Sequence, residues 1–156
     1  METLLAPDEA ATEAIGAALA GQLVPGDIVT LEGDLGVGKT ALARAIIRAR
    51  LGDPGLEVPS PSFALVQPYR GLMHADLYRL ADESELIELG LLDDEDDILL
   101  VEWPQRAPSL FERPGLRIEI AMGPQGAGRV VTVALKGRDA PGLAAALAPW
   151  RPGEPQ

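Results

Sequence analysis

The stretch Gly33-Asp34-Leu35-Gly36-Val37-Gly38-Lys39-Thr40 constrains this chain more than any other part of it. Before it runs Asp27-Ile28-Val29-Thr30-Leu31-Glu32, which reads as a strand. After it, from Lys39 to about Leu51, the sequence is rich in Ala and Arg, with Leu42, Ile46 and Ile47 on one side of a helix that Gly52 and Pro54 end. Glycines at such a strand-to-helix turn let successive N–H groups point inward, in conformations that a Cβ disfavours. The positive end of the helix dipole is aimed at the same spot. With an ammonium at Lys39 and a hydroxyl at Thr40, the pattern G-x4-G-K-[ST] is complete. Its parts suit the phosphates of a nucleotide, with Lys39 reaching the β and γ groups and Thr40 joining the shell of a bound Mg2+. With this chain's own residue frequencies the pattern arises by chance in roughly one such sequence in a thousand.

Composition narrows the field further. A length of 156 residues suits one domain, and 47% apolar with 24% charged residues is ordinary for a folded soluble chain. Thirteen basic against twenty-four acidic residues leave a net charge of −11, which repels nucleic-acid backbones and anionic lipid. With no cysteine, disulfide scaffolds, thiolate metal sites and thiol nucleophiles drop out. The single histidine, His74, argues against a histidine metal centre and reads as a satisfied, half-buried side chain. Of the thirteen basic residues only Lys39 and Lys136 are lysines, so a compact point charge is kept in the glycine-rich turn of an arginine-favouring chain. The start of the chain lacks a basic, then apolar, leader pattern, and no apolar run is long enough for a membrane span, so a cytoplasmic protein is expected.

The remaining pattern predicts an α/β domain: a P-loop NTPase-like three-layer arrangement around a mixed central sheet, spanning residues 1–150, with 151–156 a flexible tail. Helical spacing runs from Pro7-Asp8-Glu9 to about Ala20. Strand-like runs Phe63 to Tyr69 and Leu72 to Leu77 flank a hairpin turn at Arg70-Gly71. A short acidic helix is expected from Ala81 to Leu89, with Leu86, Ile87 and Leu89 on its buried side. The acidic run Asp93 to Asp97 precedes Ile98-Leu99-Leu100-Val101, the signature of a strand covered on both faces. Leu116 to Met122 and Arg129 to Lys136 read as paired strands around a glycine-rich turn, and a last helix spans Pro141 to Leu147.

A phosphate loop needs an acid for its metal ion, usually at the end of a buried strand. Glu102 follows the apolar run and emerges at that strand's C-terminal end, the edge where open α/β sheets bind ligands. Asp76 ends a second strand, suited to polarising an attacking water or to binding the metal through water. The loop Val58-Pro59-Ser60-Pro61-Ser62-Phe63 carries two hydroxyls and reads as a connector or as a switch that senses the γ-phosphate. From the residues alone three classes remain open: an ATPase, a small-molecule kinase, and a nucleotide-gated assembly module. The first is favoured over the second because the basic cluster Arg44, Arg48 and Arg50 lies on the helix behind the loop rather than on a lid.

Four segments in order resemble the TsaE (YjeE) family of bacterial tRNA threonylcarbamoyladenosine biosynthesis: the phosphate loop, Val58 to Phe63, His74-Ala75-Asp76-Leu77-Tyr78-Arg79-Leu80 and Val101-Glu102-Trp103-Pro104. The resemblance implies an ATP- and Mg2+-dependent hydrolase, weak alone, that works with the TsaB and TsaD proteins to place threonylcarbamoyl on N6 of adenosine 37 in tRNAs reading ANN codons. It implies nucleotide contacts from Glu9, Leu35, Gly36, Val37, Gly38, Lys39, Thr40, Ser62, Trp103 and Arg129. Thr40 and Glu102 are the implied metal positions, and Lys39, Asp76 and Glu102 the implied catalytic set. Given its charge, the chain is expected to meet tRNA only through its partners.

Overall fold

The structure, a computed structural model, describes residues 1–61, 65–88, 90–91 and 96–153. The expectations placed on Ser62, Phe63, Leu89 and 93–95 therefore fall outside the described residues, as does the end of the chain beyond Gly153.

A seven-stranded mixed sheet forms the frame. Its strands are β1 (Glu2–Ala6), β2 (Ile28–Glu32), β3 (Val66–Tyr69), β4 (Leu72–Asp76), β5 (Ile98–Glu102), β6 (Gly115–Met122) and β7 (Arg129–Lys136), in the order β1-β7-β6-β2-β5-β4-β3. The central β4, β5, β2 and β6 run parallel, while β1, β7 and β3 pair antiparallel at the two flanks. The strand expected from the unbroken apolar run, β5, is buried along its whole length.

On one face, α1 (Glu9–Ala20) and α2 (Lys39–Leu51) pack over Leu4, Val29, Leu31, Leu100 and Ile118. Gly16 of α1 lies so close to α2 that a Cβ there would stand 2.5 Å from the Ala45 methyl carbon. The opposite face is covered by α3 (Glu85–Glu88) and by 3₁₀ turns at Pro104–Arg106 and Pro108–Glu112, over Ile28, Ala75, Leu99 and Val101. The fold is thus the layered α/β arrangement that the sequence predicts, with its third layer built from short pieces. A final helix, α4 (Leu143–Leu147), packs back on α1, and Arg151 binds both Glu2 carboxylate oxygens.

Local chemistry sets the boundaries. Asp8 caps α1 by accepting from Ala11 N–H at 2.8 Å. Helix α2 has left-handed glycines at both ends, Gly38 (φ 117°) and Gly52 (φ 67°). Two expectations change. Helix α3 is a single turn rather than a helix from Ala81. Ahead of it the Asp82 carboxylate binds Ser84, and the Glu83 carboxylate is drawn to the N–H and hydroxyl of Ser109, so these acids turn the chain instead of extending the helix. Strand β1 is absent from the sequence reading and is held by pairing to β7 from Glu2 opposite Val133 to Ala6 opposite Arg129.

Candidate functional site

Parallel β2, β4 and β5 end at one edge of the sheet, and the turn from β2 into α2 passes over that edge. This turn is possible only with glycine at its two key positions. Gly33 leaves β2 at φ 152°, and a Cβ there would lie 2.4 Å from the Ile120 carbonyl oxygen. Gly38 holds a left-handed conformation at the start of α2. Among the described residues the amides of Leu35, Gly36, Gly38, Lys39 and Thr40 meet no protein acceptor, whereas Val37 N–H donates to Asp34 O at 3.2 Å. A ring of unpaired donors at a helix N-terminus is an anion-binding arrangement.

Lys39 is 5% exposed and lies across the loop that carries it. Its ammonium donates to Gly33 O at 2.6 Å and Asp34 O at 2.9 Å, and stands 4.2 Å from the centre of the Trp103 ring. Burial lowers its pKa from the ordinary lysine value, against the opposing pull of Glu102, Asp76 and Asp34. Trp103 follows β5 in a left-handed conformation (φ 58°) rare for a large side chain, and Tyr78 packs on it at 4.9 Å between ring centres. Strain of this kind concentrates at working sites.

Beneath the loop three buried polar side chains, His74, Asp76 and Glu102, lie beside the partly buried Thr40. Thr40 Oγ1 donates to Glu102 Oε1 at 2.7 Å, and the other carboxylate oxygen, Oε2, lies 2.6 Å from His74 Nε2. Asp76 stands beside Glu102 in the register of β4 and β5, and its Oδ1 accepts from Tyr78 N–H at 3.0 Å. Burial raises the Asp76 pKa; the Tyr78 bond opposes the rise, the Glu102 charge adds to it, and His74 and Lys39 oppose it. Thr40 and Glu102 together offer two hard oxygen donors. No group of three or more His, Asp or Glu side chains able to hold an ion is found among the described residues. Two donors beside a phosphate cradle fit Mg2+, which is usually held by one or two protein oxygens plus substrate phosphates and water.

On the other flank a cleft of about 700 Å³ opens between α1 and α2. Val37, Gly38 and Arg129 stand at the loop end of it, with Glu9 and Thr12 on the α1 wall and Ala41 and Arg44 on the α2 wall. Arg129 ties this mouth to the loop by donating from Nε to Val37 O at 2.6 Å.

The fold therefore brings together Leu35, Gly36, Val37, Gly38, Lys39, Thr40, Asp76, Glu102 and Trp103 at the sheet edge, and Glu9 and Arg129 at the adjoining cleft. Ser62 lies outside the described residues. His74 departs from its expectation: it is fully buried, it binds Glu102, and its Nδ1 has no partner among the described residues. The only sequence signal for that contact was the two-residue alternation that puts His74 and Asp76 on one face of a strand.

Comparison with known proteins gives the family of the chain. A family model described as threonylcarbamoyl adenosine biosynthesis protein TsaE matches residues 6–130, a span that holds every residue of the site. Three similar proteins are each named tRNA threonylcarbamoyladenosine biosynthesis protein TsaE. That of Synechocystis is 43% identical over 67% of this chain and 71% of its own. That of Rickettsia conorii is 36% identical over 77% and 70%, and that of Bacillus subtilis 36% identical over 73% and 72%. The crystal structure of YdiB from Bacillus subtilis shares the fold with a TM-score of 0.69, at 24% identity over 94% of this chain and 93% of that one. With the open amides of the glycine-rich loop, the Thr40–Glu102 pair and these matches in hand, the chain belongs to the TsaE family of threonylcarbamoyl adenosine biosynthesis proteins.

Proposed function

We propose that this protein is a Mg2+-dependent ATP hydrolase of the cytoplasm that serves threonylcarbamoylation of adenosine 37 in tRNA, working with TsaB and TsaD. The pathway comes from the family to which the chain belongs. The chemistry is supported by one observation above all: five amides of a glycine-rich turn with no protein acceptor among the described residues, in the same turn that carries the ammonium of Lys39 and the Thr40 hydroxyl bonded to Glu102.

In this reading the amides of Leu35 to Thr40 bind the phosphates, and the cleft beside Glu9 and Arg129 receives the nucleoside. Lys39 leaves the carbonyls of Gly33 and Asp34 for the β and γ phosphates. Thr40 and Glu102 hold the ion, which when bound neutralises charge on the phosphate oxygens. Asp76, buried beside Glu102, orients the attacking water and accepts its proton; its raised pKa suits that task better than that of an ordinary aspartate. Trp103 covers Lys39 and keeps bulk water from the ammonium. The net charge of −11 supports a role that reaches tRNA through partners and not by direct grip. No helix among the described residues is long and apolar enough to cross a membrane.

The test is ATP binding and phosphate release by the purified chain with and without Mg2+, followed by tRNA modification in a mixture reconstituted with TsaB and TsaD. The expected result is Mg2+-dependent binding, slow phosphate release alone, and modification that stops when the Asp76→Asn variant replaces the native chain. Absence of nucleotide binding by the folded chain overturns the reading. Phosphate transfer to a nucleoside or metabolite would make it a kinase instead. Sustained modification by a variant unable to hydrolyse ATP would make it an assembly module.

A further inference from the structure

His74 sits at the middle of β4, opposite Gln67 on β3 and Leu100 on β5, with no exposed surface. Alternation along the strand puts Leu72, His74 and Asp76 on the face covered by α2, the face to which Ile98, Leu100 and Glu102 of β5 also belong. His74 thus stands diagonally from Glu102 in the β4–β5 register and meets the carboxylate oxygen that Thr40 does not.

Both oxygens of Glu102 are engaged, Oε1 by Thr40 and Oε2 by His74. An ionised carboxylate only accepts, so it takes the second bond from an Nε2–H. In the neutral imidazole Nδ1 is then a bare acceptor, and no described group donates to it. Leaving such an acceptor buried without a partner is destabilising. A leucine at this place, beside Leu72 and Leu100, would fill the space without that penalty. Packing is therefore a poor explanation for a histidine here, and the bond to Glu102 is a good one.

That bond has a particular value at this carboxylate. A glutamate side chain free to turn is spread over many rotamers. In the free protein two donors remove that freedom. The Thr40 bond would be given up were the hydroxyl oxygen to turn to an ion, whereas the His74 bond, made to the other carboxylate oxygen, would remain. We propose that His74 is a positioning residue: its Nε2–H fixes the plane of Glu102 so that Oε1 stays turned toward Thr40 in the nucleotide-bound protein as well as in the free one. This inference rests on the reading of Thr40 and Glu102 as the ion-binding pair.

The test compares the native chain with His74→Leu, which keeps the bulk and removes the donor, and His74→Gln, which restores an N–H donor. Three readouts are taken: affinity for a fluorescent ADP in EDTA, affinity for Mn2+ in excess ADP by electron paramagnetic resonance, and the thermal midpoint. His74→Leu is expected to bind ADP without metal as the native chain does and to lose about 10–100-fold in Mn2+ affinity, the usual effect of removing a ligand's outer partner. His74→Gln recovers part of that loss. Equal Mn2+ affinity in His74→Leu and native protein overturns the proposal, and so does an equal loss of ADP and Mn2+ affinity, which would mean general damage to the site. A native chain that binds neither ADP nor Mn2+ would instead overturn the nucleotide-site reading.

A measurement without any variant keeps the proposal falsifiable if His74→Leu does not fold. His74 is the only histidine in the chain, so its ring resonances are unambiguous in a 15N-labelled sample. The expected signature is a slowly exchanging, downfield Nε2–H that persists after ADP and Mg2+ are added. A proton on Nδ1 alone, or loss of the Nε2–H signal on binding, overturns it.

Discussion

Replacing Lys39 by methionine separates what this side chain does for the fold from what it does for the reaction. Methionine keeps the length and most of the apolar stem and removes the charge. In the free protein the ammonium holds two carbonyls and a tryptophan face, yet burial lowers its pKa despite three neighbouring carboxylates. Desolvation thus outweighs the attraction, and the charged form is less favourable in the fold than in water. The carbonyls that Lys39 leaves belong to Gly33, which is partly exposed, and Asp34, which is open to solvent, so water can satisfy them. Lys39→Met is therefore expected to be as stable as the native chain or more so, as when a residue is kept for function against stability. Hydrolysis should respond in the opposite direction. Loss of a donor aimed at developing charge costs about 2.7–4 kcal/mol, or 10²–10³ in turnover.

The assay pairs thermal unfolding with phosphate release under saturating Mg2+ and ATP. Lys39→Arg serves as the control for charge, because a planar fork does not fit the slot between the two carbonyls and the indole, and a large loss of turnover is expected there too. A turnover loss below about tenfold, equivalent to 1.4 kcal/mol, refutes the role assigned to the ammonium. A marked fall in the thermal midpoint of Lys39→Met refutes the claim that desolvation dominates in the free state.

Three further outcomes follow from other parts of the molecule. Asp27, 1% exposed, takes two bonds from Arg138 at 2.6 and 2.7 Å and one from Val24 N–H at 2.9 Å, so Asp27→Ala should cost about 3 kcal/mol in urea unfolding; a cost below about 1 kcal/mol would show the clasp to be dispensable. Burial, with Arg117 nearby, lowers the Lys136 pKa to about 8, so between that pH and about 10 the unfolded chain binds more protons than the native one and native stability rises with pH. Below pH 8 the charged amine weakens the fold, and Lys136→Met should gain about 1 kcal/mol at pH 7 once screening of a half-buried amine is allowed for; a loss in urea titration would contradict this. Arg129→Ala removes the Nε bond that holds Val37 O and should weaken binding of a fluorescent ATP roughly 10–100-fold, in line with the loss of a charged hydrogen bond; unchanged anisotropy titrations would show that the loop keeps its shape unaided.

How much of this was legible in the sequence depended on where the deciding partner lay. Both ends of α2 could be read to the residue because Gly38 and Gly52 are themselves the left-handed positions that bound it. Strand β5 was equally plain, since burial on both faces leaves no polar residue to confuse the run. Strand β1 was not legible: its five residues bury only Leu4 and Ala6, and its partner lies more than 120 residues away. The length of α3 was misread for a related reason, because Glu83 is claimed by Ser109, a residue 26 positions further on. Glu102 and Thr40 were identifiable as a pair by chemistry, but the burial of Glu102 was not, because it depends on His74 reaching across from a neighbouring strand.

Apart from His74 Nδ1, the free protein gives the polar side chains named at its site a partner and leaves the loop amides without a protein acceptor among the described residues, and this division has a consequence for binding. Lys39 is held by neutral carbonyls, and Thr40 and His74 by Glu102, so each charged or hydroxyl group already has a partner that it can exchange. The loop amides have no such substitute, since Gly36 and Gly38 hold positive-φ conformations (78° and 117°) in which these amides meet no protein acceptor among the described residues. Hydrogen bonds to ionised acceptors are roughly twice as strong as those between neutral groups, so the ammonium gains when phosphate oxygens replace carbonyls, and the amides gain a partner where they had only solvent. Neither gain depends on the overall charge of the chain. At physiological salt the field of the distant acids fades within about 8 Å, so a net charge of −11 does not by itself bar an anion from this turn.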